Sequence, residues 1–286
     1  MKILIIGSNG QLGWELQRTV PQDVNMAALD YPEIDITNER NLQSVMDEHQ
    51  PDWIINCAAY TDVDGAEKEA DAARAVNCDG AKNIAAQALR INARMVHIST
   101  DFIFNGNRSR PYQPLDKPDP KSVYGQTKLD GEKNLESILK QDTLIIRTAW
   151  LYSSHGDNFV KTMIRLMEEK EELTVIDDQI GSPTWANGLA LTVWAAIHQN
   201  LKGIFHWTDA GVASWYDFAV AIQEEASRAG LLKKRIPILP IPTRKYPTPA
   251  KRPPYSVLDK KDILDALGLE AVHWRSRLKQ MIRELT

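Results

Sequence analysis

Cysteine is scarce, with two in 286 residues, Cys57 and Cys78. Neither has a CxxC or Cys/His spacing, so no zinc site is expected. Both read as reduced, buried thiols, which fits a reducing cytoplasm. A positive charge excess is also lacking. The formal net charge is −4, whereas a protein that binds phosphate backbones carries a basic face, so nucleic acid is not an expected partner. The one basic cluster, Lys233, Lys234, Arg235, Arg244, Lys245, Lys251 and Arg252, is local. It reads as a surface turn or as a contact for a small anion. Long hydrophobic runs are absent too. The opening MKILIIGSNG turns to glycine within a few residues, and no segment approaches the roughly 20 apolar residues of a membrane span. Neither a signal peptide nor a membrane span is expected.

The chain has 43% hydrophobic and 25% charged residues, the balance of a soluble globular protein. At about 100–200 residues per domain, its length suggests one large domain, or one plus a smaller one. Short apolar runs alternate with helical patterns through the first half. KILII (2–6), VNMAALD (24–30), WIINCA (53–58), MVHIS (95–99) and TLIIRTA (143–149) read as strands. Their continuous apolar character predicts burial on both faces of a parallel sheet. Helices are expected after KILII, from Thr37 as N-cap through ITNERNLQSVMDEH, near 66–90, and near 123–140. Repeated βαβ units predict an α/β fold with a doubly wound parallel sheet of Rossmann type. We expect a dinucleotide-binding domain over 1–150 and a smaller α/β substrate-binding part over 151–286, with some of its segments returning to the sheet. Strands are expected at 172–178 and 203–208, and helices at 158–169, 187–199, 214–229 and in two pieces over 259–285. The proline-rich stretch 236–256 is expected to be extended and to cross the surface.

The first strand runs into Gly7-Ser8-Asn9-Gly10-Gln11-Leu12-Gly13. Gly7 permits a tight turn, Gly10 a close approach of backbone to pyrophosphate, and Gly13 close packing of helix on sheet. The following helix N-terminus favours phosphate. Asp30 ends the second strand, where an acidic residue holds ribose hydroxyls and repels a 2′-phosphate. That favours NADH without removing NADPH. Asp35 either caps a helix or flanks the adenine. Ser122-Val123-Tyr124-Gly125-Gln126-Thr127-Lys128 contains Y-x-x-x-K. Residues four apart share a helix face, so phenol and ammonium can point into one site. A neighbouring cation is expected to lower the phenol pKa and make Tyr124 a general acid. Ser99-Thr100-Asp101 ends a parallel strand, where such sheets place ligands, and Thr100 can donate to a developing oxyanion. His97, in the same strand, reads as a core histidine.

The segments GSNGQLGWEL, NCAAYTDVDGAE, STDFIFNG, VYGQTKLDGE, IIRTAWLY, NFVKTM, DDQIGSPT and YPTPAKRPPYSVLD resemble the extended short-chain dehydrogenase/reductases over essentially the whole chain. Within that family they are most similar to reductases of dTDP-linked 4-ketosugars. The resemblance implies that NADH or NADPH reduces dTDP-6-deoxy-L-lyxo-hexos-4-ulose to dTDP-L-rhamnose, with a nucleotide-sugar substrate in a cytoplasmic monomer or homodimer. It implies Thr100, Tyr124 and Lys128 as the catalytic set. It implies cofactor contacts from Gly7, Gly10, Gln11, Leu12, Asp30, Asp35, Ile36, Ala59, Tyr60, Thr61, Tyr124 and Lys128. Thr61, Val63, Thr100, Asp101, Tyr124 and Trp150 correspond to substrate positions, and Asn77 to a residue that shapes the site. Arg252, and with it Lys161 or Lys251, can bind the substrate pyrophosphate or be solvated surface charges. Trp150 reads equally as a core aromatic, and Trp207, Trp215 and Tyr216 read as core. Phe102 stands where tyrosine is common, which removes one hydroxyl. Some relatives hold magnesium through glutamates. Glu15 matches one such ligand, but Trp185-Ala186-Asn187 offers no further carboxylate, so a magnesium ion is doubtful and no metal site is assigned. Two other readings are weighed: another nucleotide-sugar epimerase or dehydratase, and a non-catalytic subunit related to the regulatory subunit of methionine adenosyltransferase. A dehydratase acidic pair is missing, because Phe102 follows Asp101.

Overall fold

The computed structural model describes residues 1–140 and 142–286. The first half runs β1 (Lys2–Ile6), α1 (Gln11–Arg18), β2 (Asn25–Leu29), α2 (Glu39–His49), β3 (Trp53–Asn56), α3 (Val63–Ala66), α4 (Ala70–Arg74), a π-helical turn (Ala75–Gly80), α5 (Ala81–Arg90), β4 (Arg94–Thr100), α6 (Val123–Leu139) and β5 (Thr143–Thr148). The second half continues with β6 (Leu151–Tyr152), α7 (Phe159–Glu169), β7 (Leu173–Ile176), β8 (Ile180–Gly181), β9 (Thr184–Trp185), α8 (Ala186–His198) and β10 (Gly203–His206). It ends with β11 (Ala213–Ser214), α9 (Trp215–Arg228), β12 (Ile238–Ile241), α10 (Lys261–Leu267) and α11 (Trp274–Arg283).

Six strands form one sheet in the order β10-β5-β4-β3-β1-β2, and every neighbouring pair is parallel. This is the expected doubly wound sheet. Each central strand is apolar on both faces because each face is covered. Ile3 and Ile5 of β1 pack with α1 and α8, through Leu12, Leu16, Leu189 and Val193. Leu4 and Ile6 point the other way, into a core with Leu42, Ile84, Ala88 and Leu135 from α2, α5 and α6. Val96 and Met95 of β4 divide in the same manner. Chain order reverses at β1, which lies between β2 and β3. The crevice at their carboxyl ends is where such sheets take ligands.

A second core joins Met163 of α7, Phe218 and Ile222 of α9, and Leu278 and Met281 of α11. Not all of the later chain lies there. β10 pairs with β5, and α8 packs on α1. Among the described residues, no helix is long and apolar enough to cross a membrane.

Three local expectations change. Asn38, not Thr37, caps α2, its side chain accepting from the amides of Arg40 and Asn41. Thr37 instead donates to Asp35. The helix expected near 66–90 is continuous from 70 to 90, α4 and α5 being joined by the π-turn, and α3 stands before it as a separate turn. Asn77 lies buried within the π-turn, and π-bulges of this kind commonly mark functional positions. The proline-rich stretch is extended, yet only part of it lies on the surface. β12 pairs with β7, and Ile236, Ala250 and Ser256 are buried.

Candidate active site

A cleft of about 770 Å³ lies along the carboxyl edge of the sheet, from the glycine turn to the N-terminal end of α6. Gly7 forms the turn at φ +83, and a Cβ there would sit 2.6 Å from the Ala58 nitrogen. Gly10 borders open space, its nearest neighbour 3.5 Å from an added Cβ. It is the N-cap of α1 and offers no side-chain cap. The first amides of the helix therefore have no intrahelical acceptor, which makes an anion cradle. Asp30 closes the mouth of this turn, its carboxylate accepting from the amides of Asn9 (2.7 Å) and Tyr31 (2.8 Å). Asp35 does not cap α2, which Asn38 does. Asp35 instead caps the Thr37 turn (2.9 Å to the amide) and also lines the cleft beside Ile36. Gln11, Leu12, Ala59, Thr61 and Val63 line the same wall. These features fit a dinucleotide: an uncapped helix end for the pyrophosphate, a carboxylate for the ribose and an apolar slot beside it.

Tyr60 departs from that pattern. Its hydroxyl donates to Glu69 (2.8 Å), and its side chain does not face the cleft. What matters is its peptide. Asn77 accepts from the Tyr60 amide (2.9 Å) and donates to the Tyr60 carbonyl (3.1 Å) and to Thr127 (3.2 Å). One buried amide thus ties the loop after β3 to α6.

Ser122 caps α6 by accepting from the Gly125 amide. Gly125 lets the helix approach the strand end, since a Cβ there would lie 2.3 Å from the Phe102 carbonyl oxygen. The approach brings Tyr124 and Lys128 to the floor of the cleft beside Thr100 and Asp101. Lys128 is buried and donates to the Ile98 carbonyl (2.8 Å). Burial brings it down to about 8, with Glu132 and Cys57 opposing. Tyr124 moves against expectation. Burial pushes its phenol up to about 12, the Thr100 hydroxyl pulling it down and Asp101 pushing it up. Desolvation of a phenolate sets the direction of this shift. Thr100 also differs, because its hydroxyl donates to Asp101 (3.1 Å) and accepts from the Phe102 amide (3.1 Å). Asp101 is itself raised to about 6, chiefly by burial. Phe102 packs edge-on against the Tyr124 ring at 5.6 Å.

Trp150 lines the cleft at φ +49 and stacks on Trp215, with centroids 3.5 Å apart and planes 6° from parallel. Trp215, read from sequence as core, is half-buried and backs a cleft residue. Trp207 is buried. Arg252 forks onto Asp64 (2.7 and 3.1 Å), and Lys161 donates to the Gly156 carbonyl (2.7 Å). Both cations are therefore already engaged. Ser99 and Thr148 were overlooked as site residues. Thr148 ends β5 and Ser99 is the last residue but one of β4; both line the cleft, and both have buried hydroxyls without a partner among the described residues. The strand-end reasoning applied to Thr100 reaches them too.

Glu15 does not fit a magnesium ligand. Its oxygens accept from Ser153 (2.9 Å), Asn187 (3.0 Å) and Arg18 (3.0 Å). Among the described residues, no group of three His, Cys, Asp or Glu could hold a metal.

The family model described as the RmlD substrate binding domain matches residues 1–286. The spore coat polysaccharide biosynthesis protein SpsK of Bacillus subtilis is 42% identical over 99% of this chain and 97% of its own. The dTDP-4-dehydrorhamnose reductase of Escherichia coli K12 is 39% identical, covering 100% of this chain and 98% of its own. The dTDP-4-dehydrorhamnose reductase of Bacillus anthracis, solved in complex with NADP, superposes with a TM-score of 0.93 at 38% identity over 99% of both chains. Matched along its whole length by that model and by these relatives, the chain belongs to the RmlD substrate-binding-domain family of NAD(P)-dependent oxidoreductases.

Proposed function

We propose that this chain reduces the C4 ketone of dTDP-6-deoxy-L-lyxo-hexos-4-ulose to dTDP-L-rhamnose, as the names of its relatives indicate for them. The observation that carries the reading is the placement of Tyr124, Lys128 and Thr100 in one cleft with the glycine turn. The amides from Gly10 to Leu12 bind the cofactor pyrophosphate, and Asp30 takes the adenosine ribose hydroxyls. When bound, the reduced nicotinamide supplies the hydride. Tyr124 stays protonated throughout the neutral range, because its phenol titrates only at about 12. It therefore holds a proton ready for the ketone oxygen as that oxygen becomes an alkoxide. Lys128, which lines the same cleft, would hold the nicotinamide ribose. Thr100 and Asp101 act together beside the reacting oxygen, and Trp150 gives the sugar a flat apolar wall. The sugar nucleotide lies against the part built from α7, α9 and α11, while α8 and β10 belong to the dinucleotide part. We place the enzyme in the cytoplasm, as a monomer or homodimer.

The test is oxidation of NADH and NADPH with the dTDP-linked 4-ketosugar, beside a UDP-linked ketosugar. The dTDP compound should be consumed in preference. Tyr124→Phe should lower turnover by about 10²–10⁴. Near-normal turnover in that variant would sink the assignment. Retained NAD with no consumption of free cofactor would point to an epimerase.

A further inference from the structure

Behind Tyr124 and Lys128 lies a buried chain of side chains that no step above uses. Asn56 ends β3, and His97 is its partner on β4. Both are 1% exposed, and Lys128, reaching over from α6, is 2% exposed. The Ala58 backbone N–H can only donate, and it points at an Asn56 side-chain atom 3.1 Å away. That atom must be the amide oxygen. The amide nitrogen then faces His97 Nδ1 at 3.1 Å and donates to it. A ring nitrogen that accepts carries no proton. Burial and the nearby lysine hold the imidazole well below its ordinary range, so the ring is neutral. Its one proton is therefore on Nε2, which faces Lys128 Nζ at 3.4 Å.

We propose that His97 is a positioning residue for Lys128, locked by Asn56 as the Nε2–H tautomer so that it turns a donor, not an acceptor, toward the lysine nitrogen. The proposal rests on the reading of Tyr124 and Lys128 as the reacting pair. An ammonium has three N–H groups and no lone pair. One N–H is spent on the Ile98 carbonyl. On the side facing His97 the ammonium meets a second donor, and the 3.4 Å gap is longer than a well-formed hydrogen bond. A neutral amine would instead accept from Nε2–H. His97 therefore favours the amine, while the Ile98 carbonyl favours the ammonium.

The other charged or titratable groups around the lysine are few. Glu132 comes from its own helix and is paired with Arg147 of β5 (2.7 Å). Cys57 follows β3. Tyr124 and Asp101 share the cleft floor. None of them turns a fixed donor onto Nζ, so the pH at which Lys128 loses its proton depends on His97 as well as on burial. If the ammonium is the working form, reduction should fade as pH rises through about 8.

Long-range 1H–15N NMR of the wild-type protein, with labelled histidine, reads the tautomer directly. His97 is expected to show Nε2 as the protonated nitrogen and Nδ1 as the bare one. A proton on Nδ1 would overturn the proposal, and this measurement needs no substitution. His97→Gln can turn its carbonyl oxygen toward Nζ. The alkaline limb of kcat/KM for ketosugar reduction should then move up by about one pH unit or more. A limb that stays in place would also overturn it. Failure of the pair itself shows differently, as undiminished turnover in Tyr124→Phe, and leaves the NMR result to be judged alone.

Discussion

Gly13 has no room for a methyl group. Its Cβ would lie 2.2 Å from the Gly7 carbonyl oxygen and 2.7 Å from Ser8 Cα, both backbone atoms of the cofactor turn. Gly13→Ala should cost about 1–3 kcal/mol through overpacking and weaken NADPH binding about tenfold or more by opening the turn. Thermal unfolding and a fluorescence titration measure the two effects. Gly10→Ala should behave differently. Its Cβ meets nothing closer than 3.5 Å, so stability should hold while cofactor affinity falls. Equal loss of stability in both variants would contradict this division. The glycine turn was legible in sequence because its signal is local: an apolar strand, then three glycines at fixed spacing. Other residues were less legible because their state depends on distant partners. Arg252 is engaged by Asp64, 188 positions away. The phenol of Tyr124 rises instead of falling chiefly because of burial, which no motif encodes.

At the scale of elements, α6 carries the site and the π-turn carries α6. Gly131 faces the π-turn so closely that a Cβ would lie 2.3 Å from the Asn77 carbonyl oxygen. Gly131→Ala should push the helix away from the turn, lowering stability by about 1–3 kcal/mol and turnover with it. Asn77→Ala should leave the Tyr60 peptide without its buried partner, at a cost of about 1–3 kcal/mol. Its mark in steady-state kinetics should be a raised KM for cofactor, because the loop it holds contains Ala59 and Thr61. An unchanged KM would show that the loop is held by other means. The sheet strands were readable because burial on both faces leaves continuous apolar runs such as KILII and TLIIRT. The π-turn within the helix over 70–90 was not. ADAARAVNCDGAKNIAAQALR has helical character throughout, and no local signal in it marks the wider turn that holds Asn77.

For the molecule as a whole, Asp209 stands where its two parts meet. It follows β10, accepts from the Trp185 amide at the end of β9 (2.9 Å), and lies 4.0 Å from Arg277 of α11. Burial pushes it up to about 7 from an ordinary value of 3.8. The folded protein thus keeps a proton there that the unfolded chain has already lost. The resulting stability is full below about pH 4, declines as pH rises, and is gone above about pH 7. Asp209→Asn should remove that dependence. The variant's Tm, relative to wild type, should climb between pH 4 and 7 and then level off, by the equivalent of a few kcal/mol at most. A constant difference across that range would show that Asp209 titrates as an exposed carboxyl. The Trp150–Trp215 stack has an optical consequence. Two indoles in face-to-face contact couple their excited states and give a paired circular-dichroism band that an isolated indole lacks. One member of the pair lines the cleft, and the other is fixed at the start of α9. Arrival of a ligand on Trp150 should therefore be visible as a change in that band, in the unlabelled protein, before any chemistry occurs.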